Sequence, residues 1–598
     1  MTKRANLMQK SMSYGYASVL EREETASVLL ERAGLEKNRI CEYWKNMRRY
    51  YDGEHDIRRT SLDFAKVQGL PFTAAQSTDG YIHVETQIHP DIPSFEFNPR
   101  DKTDADKAKQ REKIVKYVLD CNDLEVKNSR NERTLNILGT SVWKVCWDGD
   151  IRFGEKKGDV VIDNPSPFDI FPDPTASDVD SCEYIGYVYK MHKNKARRVF
   201  ENDFATRGTG FEEYLSSDSF NVYATMMQGD TNCEDDTVTI TEWWFRQPCG
   251  GKTAVKIKTA DGYKHINYEW EAGDIGLCVF INGKEVRYIP KYWKNTDFKS
   301  FPFVIYSKIP SQNGIWGKSE LEQIIPLIDA KDRELAFAQL NSAYSSNDII
   351  IAEENALAEG ENLDNSPGAI WRLRPGMMGK VSRLGNMASS AVSLYTNSSF
   401  WQSLIENTTG NFEVSQGKEP SNVTTATGIA LLNERAEGRK NLKNIDRSAG
   451  FKRLFLLIDK TCLEHYKDGR IVRMGLGAED DFVYNFGGFV KKTRQNSYIP
   501  ELDVTIHTGS AVSNSKAFTV SALGDLINMN INSDNYKLVT AYIESTGIPE
   551  RDAICNFINE RFSDKQNDQT ITDDFLQDII KSITNDNEKE NDYDTAND

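Results

Sequence analysis

Residues 319–345 read SELEQIIPLIDAKDRELAFAQLNSAYS. Ser319 and Glu322 stand at the spacing of a capping box, in which a hydroxyl and a carboxylate each take a free backbone N–H at a helix start. The stretch is therefore predicted to be a helix of about 40 Å at 1.5 Å per residue, and Pro326 inside it should kink it. Outward on the C-terminal side, Asn347 to Leu384 interrupt the helical pattern. Ile349-Ile350-Ile351 and Ala369 to Leu373 look strand-like there, with turns at Pro367-Gly368 and Pro375-Gly376, which suggests a compact α+β insertion. A second helix is predicted over Met387 to Thr409, with Val392, Leu394, Tyr395, Phe400, Trp401, Leu404 and Ile405 as its apolar set. Gly410 to Thr424 contain Gly417, Lys418, Glu419 and Pro420 and cannot be helical throughout. A third helix follows from about Thr425 to Tyr466, long enough that Gly428, Gly438 and Gly450 should bend it.

That third helix is locally basic. Arg435, Arg439, Lys443 and Arg447 recur every four residues and form one slowly drifting stripe. Two readings stay open: a solvated face making salt bridges, or a face turned toward phosphates or an acidic neighbour.

On the N-terminal side, Thr25 to Tyr51 read as a helix stopped by Asp52-Gly53, and a second helical region runs from about Thr103 to Thr140. Ser141 to Trp147 switch to strand periodicity, and Asp148-Gly149 is a hairpin signal before Val160-Val161-Ile162. The prolines between Asn164 and Pro174 suggest a rigid looped segment. Thr237 to Ile309 alternate and carry glycine turns, which reads as a small β subdomain. Past Lys467 strands return, including Glu501 to His507. Helices are then predicted at about Ser515 to Ile531, Asp534 to Ser545, Pro549 to Phe562 and Asp573 to Ile583, before an acidic, aperiodic tail from Asn585 to Asp598 that should be disordered.

The chain has 598 residues, roughly four domains' worth at about 150 each, and 73 basic residues against 90 acidic give it a net charge of −17. Its longest aliphatic and aromatic run, Leu454 to Ile458, is far short of the ~20 residues a membrane helix needs. Met1 to Lys10 lead into no apolar stretch, so the sequence predicts no secretory signal and a protein that acts where it is made. The nine cysteines are odd in number and form no C-x-x-C pair, and the seven histidines are dispersed, so neither a disulfide framework nor a metal site is expected. An acidic chain is also a poor candidate for reading DNA sequence, since such binding draws on lysine and arginine at phosphates.

Enzyme motifs fail on inspection. Gly314-Ile315-Trp316-Gly317-Lys318-Ser319 ends like a phosphate-binding loop and opens a helix, but the glycine required five residues before Gly317 is Gln312. Leu454 to Asp459 mimic a Walker-B strand, yet continue a helical pattern and precede Lys460. Asp173, Thr175, Ser177, Asp178 and Asp180 resemble a calcium loop, but Asp178 stands where glycine is required. No catalytic residue and no cofactor are expected, and the ten tryptophans read as core and interface.

In the order helix, insertion, helix, loop, helix, the chain resembles the portal (head-to-tail connector) proteins of tailed bacteriophages, most like those of short-tailed phages. The resemblance is carried by Trp44 to Gly53, Gly139-Thr140 with the strand to Trp147-Asp148, Pro167 to Pro174, Phe301-Pro302-Phe303, Gly314 to Leu327, Gly410 with Gly417 and Pro420 to Leu431, and Asp503 to Ser510. It implies an α+β, portal-like fold: an α/β wing over 1–316 (with the β subdomain 237–309), stem helices at 317–346 and 385–409, a small α+β clip at 347–384, a channel loop at 410–424, a wing helix and returning strands at 425–512, and a helical crown with the acidic tail at 513–598. It further implies a homo-oligomeric ring of usually twelve subunits at one capsid vertex. Such a ring passes double-stranded DNA without sequence specificity and meets terminase large subunit, major capsid, scaffolding and tail adaptor proteins. Assembly would be in the host bacterial cytoplasm, with no membrane partner. Gly410, Gly417, Glu419 and Pro420 would shape the channel loop. Lys418, with Arg435, Arg439, Lys443 and Arg447, would supply sparse DNA contacts, subunit pairing being the competing role for the stripe. The alternative is an ATP-driven packaging motor subunit resting on Gly317-Lys318-Ser319; a tail adhesin would leave the long helices unexplained.

Overall fold

A computed structural model describes residues 18–54, 78–88, 91–215 save 154–155, 236–311 save 260–261 and 297, 314–354 save 347–348, 356–358, 372–384, 388–409, 426–466, 469–472, 482–484, 486–492, 497–507 and 540. Contacts divide the chain into a large unit, 1–92 with 96–505, and a second, 93–95 with 506–598; the second lies almost wholly outside the described residues.

The first helix, α1 (Val19–Tyr51), starts six residues before the expected Thr25 because Ser18 and Glu21 form a capping box. Glu21 N–H donates to Ser18 Oγ at 3.2 Å, and Ser18 N–H to Glu21 Oε2 at 3.3 Å. Then come α2 (Asp79–Glu85), β1 (Ser94–Pro99), α3 (Ala105–Cys121) and α4 (Leu124–Leu138). The single helical region expected over 103–140 is thus two helices. They break at Asn122-Asp123, where Asp123 takes a left-handed φ of 46° that a continuous helix cannot hold.

Next are β2 (Thr140–Phe153) and β3 (Lys156–Asp163). Asp148-Gly149 is not the turn between them. Asp148 pairs with Asp159 and Arg152 with Lys157, so the dipeptide sits in a bulge and the hairpin runs on. Further along are β4 (Ile170–Pro172), β5 (Tyr184–His192), α5 (Lys193–Val199), α6 (Glu201–Arg207), β6 (Thr237–Arg246), β7 (Gly251–Thr259), β8 (Gly262–Trp270), β9 (Ile275–Ile281), β10 (Lys284–Ile289) and β11 (Phe303–Ser307).

The strands of 237–309 are not a subdomain of their own. One antiparallel sheet has the order β10-β9-β6-β5-β4, so the proline segment read as a loop supplies its edge strand, and β11 leaves to pair with β2 in the sheet β11-β2-β3. Among the described residues only β7 and β8 form a separate ribbon within that stretch. Edge placement reconciles Pro172 with strand structure, since proline cannot donate to a ladder.

After the sheets come α7 (Leu321–Ser346), β12 (Ile349–Ala352), β13 (Val381–Leu384), α8 (Ala388–Thr409) and α9 (Ala426–His465). Helices α7 and α8 pack along each other, and β12 pairs with β13 between them. Of the strand expected at Ala369 to Leu373 only its end is described, as a bridge between Leu357 and Leu373. Short strand pairs follow: β14 (Arg470–Val472) with β15 (Phe482–Tyr484), and β16 (Lys491–Lys492) with β17 (Ser497–Tyr498). Last, β18 (Leu502–His507) pairs with β1. The helices expected from Ser515 onward lie outside the described residues except for Thr540, which is helical.

Helix α1 serves two cores. Ala26, Leu30 and Ala33 meet the five-stranded sheet at Phe171, Trp243, Phe245, Cys278 and Phe280. Two turns on, Cys41, Trp44, Met47 and Tyr50 meet Leu138, Leu321, Ile324, Ile328 and Ile405. Fully burying one such side chain contributes about 1.5–3 kcal/mol, so α1 holds the start of α7 on the rest of the chain. Phe451, Leu454, Phe455 and Ile458 are likewise buried, placing the Leu454 to Ile458 run in α9 against β11, β2 and α3. Gly450 is explained by this packing: a Cβ there would overlap the Tyr306 ring.

Candidate functional site

The phosphate-loop mimic is built as a structural joint. Gly139 ends α4 with φ +79°, and a Cβ on it would overlap the Lys318 carbonyl and the Ser319 nitrogen. A Cβ on Gly317 would in turn stand 2.6 Å from Gly139 O and 2.9 Å from Ile309 O. The backbone donors that a nucleotide loop would offer to phosphate are engaged within the chain. Gly317 N–H donates to Thr140 Oγ1 at 2.9 Å, Lys318 N–H to Ile309 O at 2.9 Å, and Ser319 N–H to Tyr43 Oη at 2.9 Å. Ser319 Oγ donates to Asn136 O and accepts from Leu321 N–H. The expected pairing of Ser319 with Glu322 gives way to this contact, and the Glu322 carboxylate instead takes the Tyr43 hydroxyl at 3.3 Å. The Walker-B mimic resolves the same way: Asp459 is buried and accepts two hydrogen bonds from Arg111, Nε to Oδ1 at 2.8 Å and Nη2 to Oδ2.

Directly beyond this joint a buried polar network grips the first turns of α7. His83 Nε2 lies 3.2 Å from Glu320 Oε2, and Lys308 Nζ lies 3.3 Å from the other oxygen while donating to Asn136 Oδ1 at 2.6 Å and to Gln87. About two and a half and three turns on, Tyr50 Oη donates to Asp329 at 2.8 Å and Lys331 Nζ to Asp79 at 2.6 Å. Lys331 also donates to Gln402 of α8. None of this network was visible in sequence, because its members lie in or next to helices α1, α2, α4, α7 and α8 and directly after β11.

Farther out, the two long helices and the insertion between them show apolar groups to water. Phe337 on α7 is 44% exposed, Phe400 on α8 62%, and Met378 in the insertion 88%. Single exposed hydrophobes are ordinary on a protein surface, and here one large exposed ring lies on each helix of a packed pair.

Of the basic stripe, Arg435, Arg439, Lys443 and Arg447 all lie on α9, and the side chain is described only for Arg447. Arg447 Nε donates to Glu132 Oε1 at 2.7 Å and Nη2 to Asp91 O at 3.1 Å, with the guanidinium 5.0 Å over Phe451. Burial pushes the Glu132 carboxyl up and Arg447 opposes that rise. Arg447 thus has an intramolecular role, docking α9 on α4. Lys418, Gly410, Gly417, Glu419 and Pro420 lie outside the described residues.

The calcium-like acids build a turn. Asp173 accepts from Thr175 N–H at 3.0 Å and Oγ1 at 2.7 Å. Asp178 accepts from Ser181 N–H at 2.7 Å, which holds its carboxyl below the ordinary range. Among the described residues no group of three or more His, Cys, Asp or Glu could hold a metal ion, and no helix is long and apolar enough to cross a membrane.

A family model described as phage P22-like portal protein matches residues 84–578, more than four-fifths of the chain. A comparison with curated proteins finds no match.

Proposed function

The chain belongs to the P22-like phage portal protein family, and from that premise we propose how its parts are deployed. It is a portal protein of the virion capsid vertex, of mixed α+β structure, in a family whose role is structural and whose members form homo-oligomeric rings that meet capsid and DNA. In our reading residues 1–316 with 425–512 form a wing, α7 and α8 the stem, 347–384 the clip, 410–424 a channel loop and 513–598 a crown.

The observation that carries this reading is the α7–α8 pair, anchored at its base by the His83, Glu320 and Lys308 network and exposing Phe337 and Phe400 along its length. A closed ring needs a heterologous interface, one face of a subunit against a different face of the next, and side-by-side stem helices supply two such faces. Twelve copies is the number we propose. The ring is assembled with scaffolding and major capsid proteins in the host bacterial cytoplasm. It docks terminase large subunit and later tail adaptors at the clip, and is not itself an enzyme: the ATP is hydrolysed by the motor.

Within the channel, Lys418 is the candidate contact on a loop shaped by Gly410, Gly417, Glu419 and Pro420, and Arg435, Arg439 and Lys443 face either phosphates or a neighbouring subunit. The net charge of −17 suits a conduit: DNA carries one charge per ~1.7 Å, and a wall with few cations keeps sliding barriers low. A motor reading has no support, since the Gly317 amide is engaged by Thr140.

Imaging the purified chain by negative stain, with ATP turnover assayed on the same sample, tests the reading. Closed rings with a central hole and no hydrolysis are expected. Monomers that turn over ATP would overturn it.

A further inference from the structure

The ribbon of β7 and β8 pairs with neither of the two larger sheets. In an acidic chain, the sequence from Lys252 to Trp270 holds four lysines and a histidine against Asp261 and Glu269. Register sorts them onto faces, because residues directly opposite in an antiparallel pair point the same way and successive residues alternate. Lys252 lies opposite Glu269, Ala254 opposite Asn267, Lys256 opposite His265 and Lys258 opposite Tyr263. All eight residues of this face are exposed, while on the other face Thr253, Val255, Ile266 and Tyr268 are half-buried or buried and Lys264, the one lysine there, is exposed.

Charge on the exposed face is separated along the ribbon. At its base Lys252 and Glu269 pair at 2.6 Å and cancel. Beyond them, Lys256 and Lys258 have no carboxylate partner among the described residues, and the Lys256 ammonium lies 4.1 Å over the Tyr263 ring. The ribbon is held in place by its edge: Lys258 N–H donates to Thr206 Oγ1 at 2.9 Å and Tyr263 Oη to Ala205 O at 3.1 Å, both on α6. Such fixing leaves the lysine stems free to present their charges without reorganising the backbone.

We propose that this ribbon face is a sequence-independent contact for the phosphate backbone of double-stranded DNA, separate from the channel loop. The reasoning rests on the portal reading for the presence of DNA, and on the ribbon alone for the contact. Lys256 and Lys258 sit one two-residue step apart, about 7 Å at the usual strand rise, so that each reaches its own phosphate. Asn267 on the same face offers an amide donor of the kind that positions a backbone without reading bases. The major groove also admits a two-stranded ribbon. An acidic protein is the competing partner, and the face disfavours it: only two unpaired cations, flanked by hydrogen-bond donors rather than an apolar centre, make a poor protein hot spot.

The test is titration of assembled wild-type rings against a short labelled duplex over a range of salt, beside Lys256→Gln/Lys258→Gln, Lys256→Arg/Lys258→Arg and Lys252→Gln. The glutamine pair should weaken binding about tenfold and flatten the plot of log affinity against log salt by roughly 2, whereas the arginine pair and Lys252→Gln should behave as wild type. Glutamine rings that bind DNA with wild-type affinity and salt slope overturn the proposal. So does a glutamine pair that loses binding to an acidic protein such as purified coat while retaining DNA. Absence of rings in the wild type would instead count against the portal reading, and equal melting temperatures for wild type and variants separate contact from folding.

Discussion

Gly139 and Gly317 lie back to back with no room for a side chain on either. Gly317 would bring a Cβ to 2.6 Å from the Gly139 carbonyl oxygen, and Gly139 would drive one into the Lys318 backbone. The contact seats the start of α7 on the end of α4.

Gly317→Ala should therefore act on stability alone. Forcing a methyl against fixed backbone costs about 1–3 kcal/mol, read as a lower melting temperature with unchanged, absent ATP turnover. A variant that melts like wild type would show that the joint can yield.

Arg111 and Asp459 are buried together, 348 positions apart in sequence, and Arg111 also donates to Pro500 O at 2.8 Å. Arg111→Met leaves the carboxylate buried without a cation, which costs about 3–5 kcal/mol, while Arg111→Met/Asp459→Leu should recover most of that loss. Thermal unfolding of the single and double variants checks the sign. Equal loss in both would mean the pair contributes more than mutual neutralisation.

If the stem flanks meet in the ring, Phe400→Ser should weaken assembly rather than folding. Burying a phenylalanine is worth about 1.5–3 kcal/mol per contact, repeated at every interface. Mass photometry should show smaller species at concentrations where wild type is all rings, with the melting of the dissociated chain unchanged. Rings of undiminished stability would place the interface elsewhere.

Lys37 gives a pH dependence with a definite sign. Its ammonium is buried between α1 and the segment leading into β4, donating to Phe168 O at 2.6 Å and to Ile170 O, with the Phe171 ring centre 4.0 Å away and with Cys41 and Asp169 partly opposing the effect of burial. Burial lowers its pKa from 10.5 to about 7. Between those values the folded chain binds fewer protons than the unfolded one, so this site makes stability rise with pH above about 7. Asp169 works in the opposite sense at lower pH: burial raises it to about 6, partly offset by Lys37, so its ionisation lowers stability between about 4 and 6. Melting temperatures of wild type and Lys37→Met compared from pH 7 to 9 should diverge, with the rise present only in wild type. Parallel curves would refute the assignment.

Much of the architecture could be read along the chain. The apolar series Leu321, Ile324 and Ile328 and the stops around Thr409 and His465 are local features, and α7, α8 and α9 lie within a few residues of where those features put them. Strand partners were not readable. Ile170–Pro172 looked like a loop because prolines punctuate it, yet it closes the edge of a sheet whose other members lie up to about a hundred residues away. The stripe at Arg435, Arg439, Lys443 and Arg447 was visible as a period, but the partner of Arg447 was not, since Glu132 stands 315 positions earlier.

By itself the sequence determined the long helices, the failed enzyme motifs and the family resemblance, because caps, periodicity and motif spacing are set by neighbours in the chain. Only the tertiary structure decided that Gly317-Lys318-Ser319 is a joint, that Asp459 belongs to Arg111, and that Lys256 and Lys258 of the β7 and β8 ribbon share an exposed face. Those outcomes depend on which distant groups burial brings within hydrogen-bond reach, and on strand register, where a shift of one residue would turn Lys256 and Lys258 to the opposite side.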